Sequence, residues 1–138
     1  MGFLTGKTAI ITGAGRAVLK DGSCGSIGYG IATAYAKEGA NLVITGRNVK
    51  KLEAAKQELE NLYDIKVLPV QADVCAGGDN EATVANVVKQ AVDTFGGIQV
   101  LINNAQASAS GVPLAEHTTE QFDLAIYSGL YAAFYYMK

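Results

Sequence analysis

The chain has 138 residues, enough for one domain with a real core, and its 49% apolar against 17% charged composition excludes a disordered polymer. A net charge of −2 with no basic run excludes bulk electrostatic recruitment of nucleic acid or an anionic membrane. Cys24 and Cys75 match no disulfide framework or zinc spacing, and the longest strongly apolar run, Leu124 to Met137, is shorter than a bilayer span; a cytoplasmic location without membrane partners is the expectation.

Lys7–Thr12 is apolar and β-branched and predicts a buried strand. It leads into Thr12-Gly13-Ala14-Gly15-Arg16, a polar detour, and Gly25-Ser26-Ile27-Gly28. Strand, glycine-rich turn and helix together bring backbone N–H groups close to a phosphate. A helix follows over Ser26–Glu38, with Ile27, Ile31, Ala34 and Tyr35 on one face and Gly39 at its C-cap. Asn41–Thr45 is the second strand. Asn48 caps a helix whose apolar stripe is Leu52, Ala55, Leu59 and Leu62. Lys66–Gln71 is the third strand. Asp79 or Asn80 caps a third helix, which runs to Phe95 and stops at Gly96-Gly97. Ile98–Asn103 is the fourth strand. After a charge-free loop from Ala105 to Ala115, Thr118-Thr119-Glu120-Gln121 forms a capping box that opens a helix running to the last residue.

This alternation predicts an α/β fold in one domain over residues 1–138: a doubly wound parallel sheet in strand order 3-2-1-4, with helices on both faces. Ligands bind such sheets at the topological switch point, here between strands one and four. The glycine turn and Asn103-Asn104 are those two strand ends.

Thr12-Gly13 with Ile27-Gly28, then Ala72-Asp73-Val74 after strand three, then Asn103-Asn104-Ala105 after strand four, resemble the short-chain dehydrogenase/reductase family in order and spacing over the whole chain. The resemblance implies a Rossmann-like, nicotinamide-dependent oxidoreductase. Gly13 matches the first cofactor-loop glycine and Gly28 the last, while Ser26 stands at the middle position. Gly15 and Arg16 belong to the same loop, which is longer than the family's usual turn because of the Ala17–Cys24 insertion. Ser26-Ile27-Gly28-Tyr29-Gly30 is also similar to the first helix of enoyl-acyl-carrier-protein reductases. Ser26 either caps the helix, donates its hydroxyl to a pyrophosphate, or does both.

A carboxylate at the end of strand two would favour NAD(H). This chain has Thr45-Gly46-Arg47-Asn48 instead. Arg47, helped by Arg16, suits a 2′-phosphate, so NADP(H) is favoured and NAD(H) stays possible; the plain alternative is a solvated arginine. The resemblance places Asp73 on the adenine amino group, Val74 on the ring, with Ala72 beside them; an Asp capping a turn is the other reading. It places Asn103, Asn104 and Ala105 beside the nicotinamide ribose. Gln106 stands where the family has glycine, and narrows that site or adds a hydrogen bond.

The family's catalytic tyrosine and lysine form Tyr-x-x-x-Lys, which occurs nowhere here, and the asparagine expected on the fourth helix falls on Gly129, after Ser128. No catalytic residue is assigned. His117, the single histidine, reads as a loop residue, Cys24 as an ordinary thiol, and Tyr127, Tyr131 and Tyr135 as one packing stripe. The expectation is the N-terminal, cofactor-binding half of a longer enzyme acting on a carbonyl or alcohol substrate, inactive by itself. A non-catalytic binding or assembly module and an enoyl-thioester reductase fragment are the alternatives. An apolar fourth-strand edge, Val100-Leu101-Ile102, and the tyrosine-rich last helix predict a homo-oligomer.

Overall fold

The computed structural model describes residues 2–138. Four parallel strands, β1 (Thr8–Thr12), β2 (Asn41–Gly46), β3 (Val67–Gln71) and β4 (Val100–Ile102), pair in the order β3-β2-β1-β4. The register sets Ile10 between Val43 and Leu101, and Ile11 between Ile44 and Ile102. Strand periodicity then divides the core. Ala9, Ile11, Leu42 and Ile44 face α1 (Ile27–Lys37) and α2 (Val49–Leu62), meeting Tyr29, Ala32, Ala36, Leu52, Ala55 and Leu59. Ile10, Val43 and Val70 face the other way, toward Val84, Val87 and Ala91 of α3 (Asn80–Phe95) and toward Tyr136.

Local chemistry sets most helix ends. The Ser26 side chain accepts from Tyr29 N at 3.4 Å, and Gly39 closes α1 at φ +87°. Asn48 Oδ1 accepts from Lys51 N at 3.0 Å. Gly96, at φ +81°, ends α3. Thr118 and Gln121 exchange the two capping-box bonds at 3.2 and 3.0 Å, opening α4 (Thr119–Ile126).

Four local expectations are corrected. The buried face of α1 is Gly28, Tyr29, Ala32 and Ala36, whereas Ile27 is 77% exposed and Ala34 is exposed. The small side chains on this face let the helix pack close to the sheet. Leu62, the last residue of α2, is exposed, and the buried stripe of that helix is Leu52, Ala55 and Leu59. Neither Asp79 nor Asn80 caps α3 through its side chain; Asn80 is buried and its Nδ2 donates to Tyr127 O at 3.1 Å. The final helix is interrupted by a π turn, Tyr127–Tyr131, before α5 (Ala132–Met137). In addition, β4 pairs over three residues only, shorter than the expected Ile98–Asn103.

The insertion after β1 is a small hairpin. Val18 and Cys24 pair antiparallel, Leu19 N donates to Ser23 O at 2.8 Å, and Gly22 takes φ +84° at the tip. No helix among the described residues is long and apolar enough to cross a membrane.

Candidate functional site

The carboxyl ends of all four strands open onto one cavity of about 260 Å³, lined by Gly13, Thr45 to Arg47, Ala72 to Cys75, and Asn104 to Ala107. Its back wall is a hydrogen-bonded joint between β1 and β4. The buried Thr12 hydroxyl oxygen accepts from Asn104 N at 3.0 Å and from Ala105 N at 2.9 Å. Asn104 Nδ2 donates to Thr12 O at 2.9 Å and lies 3.4 Å from Gly13 O. Toward β2, Gly13 N and Ala14 N both donate to Thr45 O, at 2.9 and 3.1 Å. The turn at Gly13 has φ +70°, a conformation that glycine adopts at no steric cost.

Helix α1 starts hard against this turn. A Cβ on Gly28 would sit 2.0 Å from Gly13 O and 2.6 Å from Asn104 Nδ2, so only glycine fits there. Among the described residues the N–H groups of Ile27 and Gly28 and the Ser26 hydroxyl proton have no acceptor. Three unspent donors at a helix N-terminus suit a phosphate. Capping by Ser26 is thus observed, and it leaves the hydroxyl proton available.

The two arginines separate. Arg47 lines the cavity and forms no ion pair among the described residues; its carbonyl receives Gln71 Nε2 at 3.1 Å. Arg16 lies outside the cavity wall, where its Nε binds Glu58 of α2 and its main-chain N donates to Lys51 O at 2.8 Å. The Arg16 guanidinium holds the Glu58 carboxyl below the usual carboxylate range, and Glu58 in turn raises Arg16. Burial, then Glu58, pushes the Tyr29 phenol up to about 12. The Arg16–Glu58 pair, which fastens the long loop to α2 beside Tyr29, is absent from the sequence reading. Its members stand far apart in the chain, and no local signal joins them.

Asp73 Oδ1 accepts from Cys75 N at 2.9 Å, so the turn-capping role is present in a residue that also lines the cavity. Burial first, and then Asp73, raises the Cys75 thiol. Gln106 Nε2 reaches only Ala107 O, at 3.2 Å. The buried Ser128 accepts from Ala107 N at 2.9 Å and donates to Leu124 O at 2.7 Å, tying the loop after β4 to the π turn. Asn103 is exposed and outside this cavity. His117 lies in the loop, its Nδ1 3.1 Å from Pro113 O. Among the described residues no cluster of three metal-ligating side chains occurs.

Residues 7–138 match the family model for short chain dehydrogenases. The chain belongs to that family. A 12alpha-hydroxysteroid dehydrogenase from a Clostridium species is 60% identical over all 138 residues, which cover 51% of the relative. An uncharacterized oxidoreductase of Staphylococcus aureus is 32% identical over 123 residues, 89% of this chain and 46% of that protein. Among solved short-chain dehydrogenases and reductases, the L-sorbose reductase of Gluconobacter frateurii complexed with NADPH and L-sorbose superposes with a TM-score of 0.81 at 31% identity, covering 99% of this chain and 46% of the other. A metagenomic short-chain oxidoreductase in complex with NADP gives 0.78 at 28% identity, covering 97% and 54%. The chain spans about half the length of the curated relatives it matches. The doubly wound sheet and its 3-2-1-4 order agree with membership of this family.

Proposed function

We propose that these residues form the cofactor-holding half of an NADP(H)-dependent oxidoreductase, and that the whole protein interconverts a hydroxysteroid and its ketone. The single observation that carries the cofactor preference is Arg47: a cation without an ion-pair partner among the described residues, on the cavity wall at the end of β2, where Thr45-Gly46-Arg47-Asn48 holds no carboxylate. Arg16 is committed to Glu58, so Arg47 takes the 2′-phosphate alone. The Ser26 hydroxyl and the Ile27 and Gly28 N–H groups hold the pyrophosphate, Gly13 and Gly15 let it approach, and Asn48 keeps Arg47 at a helix start. Asp73, Val74 and Ala72 receive the adenine; Asn104, Ala105 and Gln106 border the nicotinamide ribose. The bound dinucleotide supplies the hydride donor or acceptor.

The steroid assignment rests on the 60% identity to the Clostridium enzyme over the full chain. Residues 1–138 contain no Tyr-x-x-x-Lys, so they are expected to bind cofactor without turnover. Titrating NADPH and NADH into the protein, followed by nicotinamide fluorescence, tests the first claim. Tighter NADPH binding is expected; equal affinities overturn the preference, and no binding of either overturns the cofactor role. Incubating the whole protein with a 12alpha-hydroxysteroid and NADP tests the second: no reduced nicotinamide formed means that the steroid assignment is wrong.

A further inference from the structure

The phosphate loop carries a cation that runs away from the crevice it borders. Arg16 follows Gly13-Ala14-Gly15, and its main chain is fixed against the first turn of α2. Arg16 N donates to Lys51 O at 2.8 Å, and a Cβ built on Gly15 would lie 3.0 Å from Lys51 Cβ. Lys51 is the third residue of α2, and Arg47 stands four positions before it, just outside the Asn48 cap. From this anchor the Arg16 side chain takes the opposite direction. Its Nε binds Glu58, seven positions beyond Lys51. Seven residues are two helical turns, about 10 Å along the axis and back on the same face. Arg16 therefore lies along α2 toward that helix's C-terminal end, beside Ala54, Gln57 and Asn61, while Arg47 lines the crevice at the other end.

Nothing in the main chain requires that direction. The bond from Arg16 to Lys51 uses backbone atoms only, so it survives rotation of the side chain. An extended arginine side chain is as long as the one helical turn between Lys51 and Arg47, roughly 5–6 Å. Turned toward the start of α2, the guanidinium comes up beside Arg47. Among the described residues Glu58 is the only anion paired with Arg16, and the two side chains are 39% and 33% exposed. A pair this open is weak enough for a second anion to compete for the same guanidinium. A phosphate accepts the forked contact that a carboxylate does. We propose that Glu58 is a specificity-determining residue: its carboxylate competes with the 2′-phosphate of NADP(H) for the Arg16 guanidinium and holds it away, so that NADPH is bound through Arg47 without the second cation of the loop. The inference rests on the proposed cofactor function. It places control of the NADPH preference on a residue that does not line the crevice.

The test measures NADPH and NADH dissociation constants, by nicotinamide fluorescence, for the whole protein with Glu58→Gln, Arg16→Ala and both together. The ratio of the two constants is the readout, because a general loosening of the loop weakens both dinucleotides alike. Glu58→Gln keeps the shape and removes the charge; it is expected to shift the ratio about fivefold toward NADPH, the upper range for a partly exposed ion pair. Glu58→Ala removes the same charge and is expected to shift it in the same direction. Arg16→Ala alone is expected to change the ratio by less than about twofold, because Glu58 already holds the guanidinium. In the Glu58→Gln background the same substitution is expected to cancel the gain. A ratio in both Glu58 variants equal to that of the unaltered protein overturns the inference. So does a gain that persists in the double variant, which would come from the lost charge alone. An equal loss from Arg16→Ala in both backgrounds also overturns it, since Arg16 would then reach the phosphate despite Glu58. If the unaltered protein binds neither dinucleotide, the cofactor function fails, and this inference with it.

Discussion

Thr12 shows how much one hydroxyl can organise. It closes β1, is almost fully buried, and receives the N–H groups of both Asn104 and Ala105. Replacing it with valine keeps the shape and leaves two enclosed donors unpaired, so Thr12→Val is expected to cost about 2–3 kcal/mol in chemical denaturation. Arg47 is the opposite case, a side chain that the fold itself does not use. Arg47→Ala is expected to leave stability within about 0.5 kcal/mol and to weaken NADPH by tenfold or more relative to NADH. An unchanged ratio in a competition titration would remove the 2′-phosphate contact from the scheme. Residues of the second kind were legible in the sequence because the motif pattern carries them. Thr12, Ser128 and Asn80 were not singled out as anchors, since a threonine at a strand end or a serine in a helix carries no sign of a partner 92 or 21 positions away.

Among elements, α1 and its loop are the most tightly specified. Gly28 lets the helix start touch Gly13 O, so Gly28→Ala is expected to lose about 1–3 kcal/mol and NADPH affinity together. A variant that lost only stability would separate packing from binding. The loop is also held from below by Arg16 and Glu58. The folded Glu58 carboxyl lies below its ordinary 4.5, so this contribution is complete above that value and fades as pH falls through the folded pKa. Melting temperatures taken from neutral pH down to about pH 3 should therefore fall less steeply in Glu58→Gln than in the unaltered protein; parallel curves would show that the ion pair is irrelevant to stability. The caps at Ser26, Asn48 and Thr118 were readable, because each is a short-range contest for an orphan N–H. The buried face of α1 was not. Hydrophobicity pointed to Ile27 and Ala34, whereas close approach to the sheet selected Gly28, Ala32 and Ala36. The π turn was likewise invisible, since its residues Tyr-Ser-Gly-Leu-Tyr are compatible with an ordinary helix.

At the scale of the whole molecule, the sheet ends on β4, whose outer side carries no strand among the described residues. Val100, Leu101 and Ile102 are only half-buried there, and Leu130, Phe134 and Met137 are exposed nearby in sequence on the final helical segment. Such an edge is a template for further pairing. The 138 residues alone are expected to associate; sedimentation showing a monomer that binds no hydrophobic dye would refute this. Strand order followed from the alternation of elements and the handedness of their crossovers, which depend on the pattern of the whole chain rather than on any single position.

The π turn has a consequence for what the chain tolerates. Each residue added to or removed from an α-helix rotates everything beyond it by about 100°. The wide turn at Tyr127–Tyr131 absorbs one such step, and its carbonyl at Tyr127 is claimed both by Ala132 N–H and by Asn80 from α3. With that phase, Ser128 meets the loop after β4, while Tyr136, eight positions later, enters the core against Val43 and Val84. Deleting a single residue between the turn and Tyr136, where no wide turn absorbs the step, would give the end of the helix the wrong azimuth. Tyr136 would swing toward solvent and the core beneath β1 and β2 would lose its aromatic plug. The irregularity is thus a timing device, keeping two ends of one helix in step with two different neighbours.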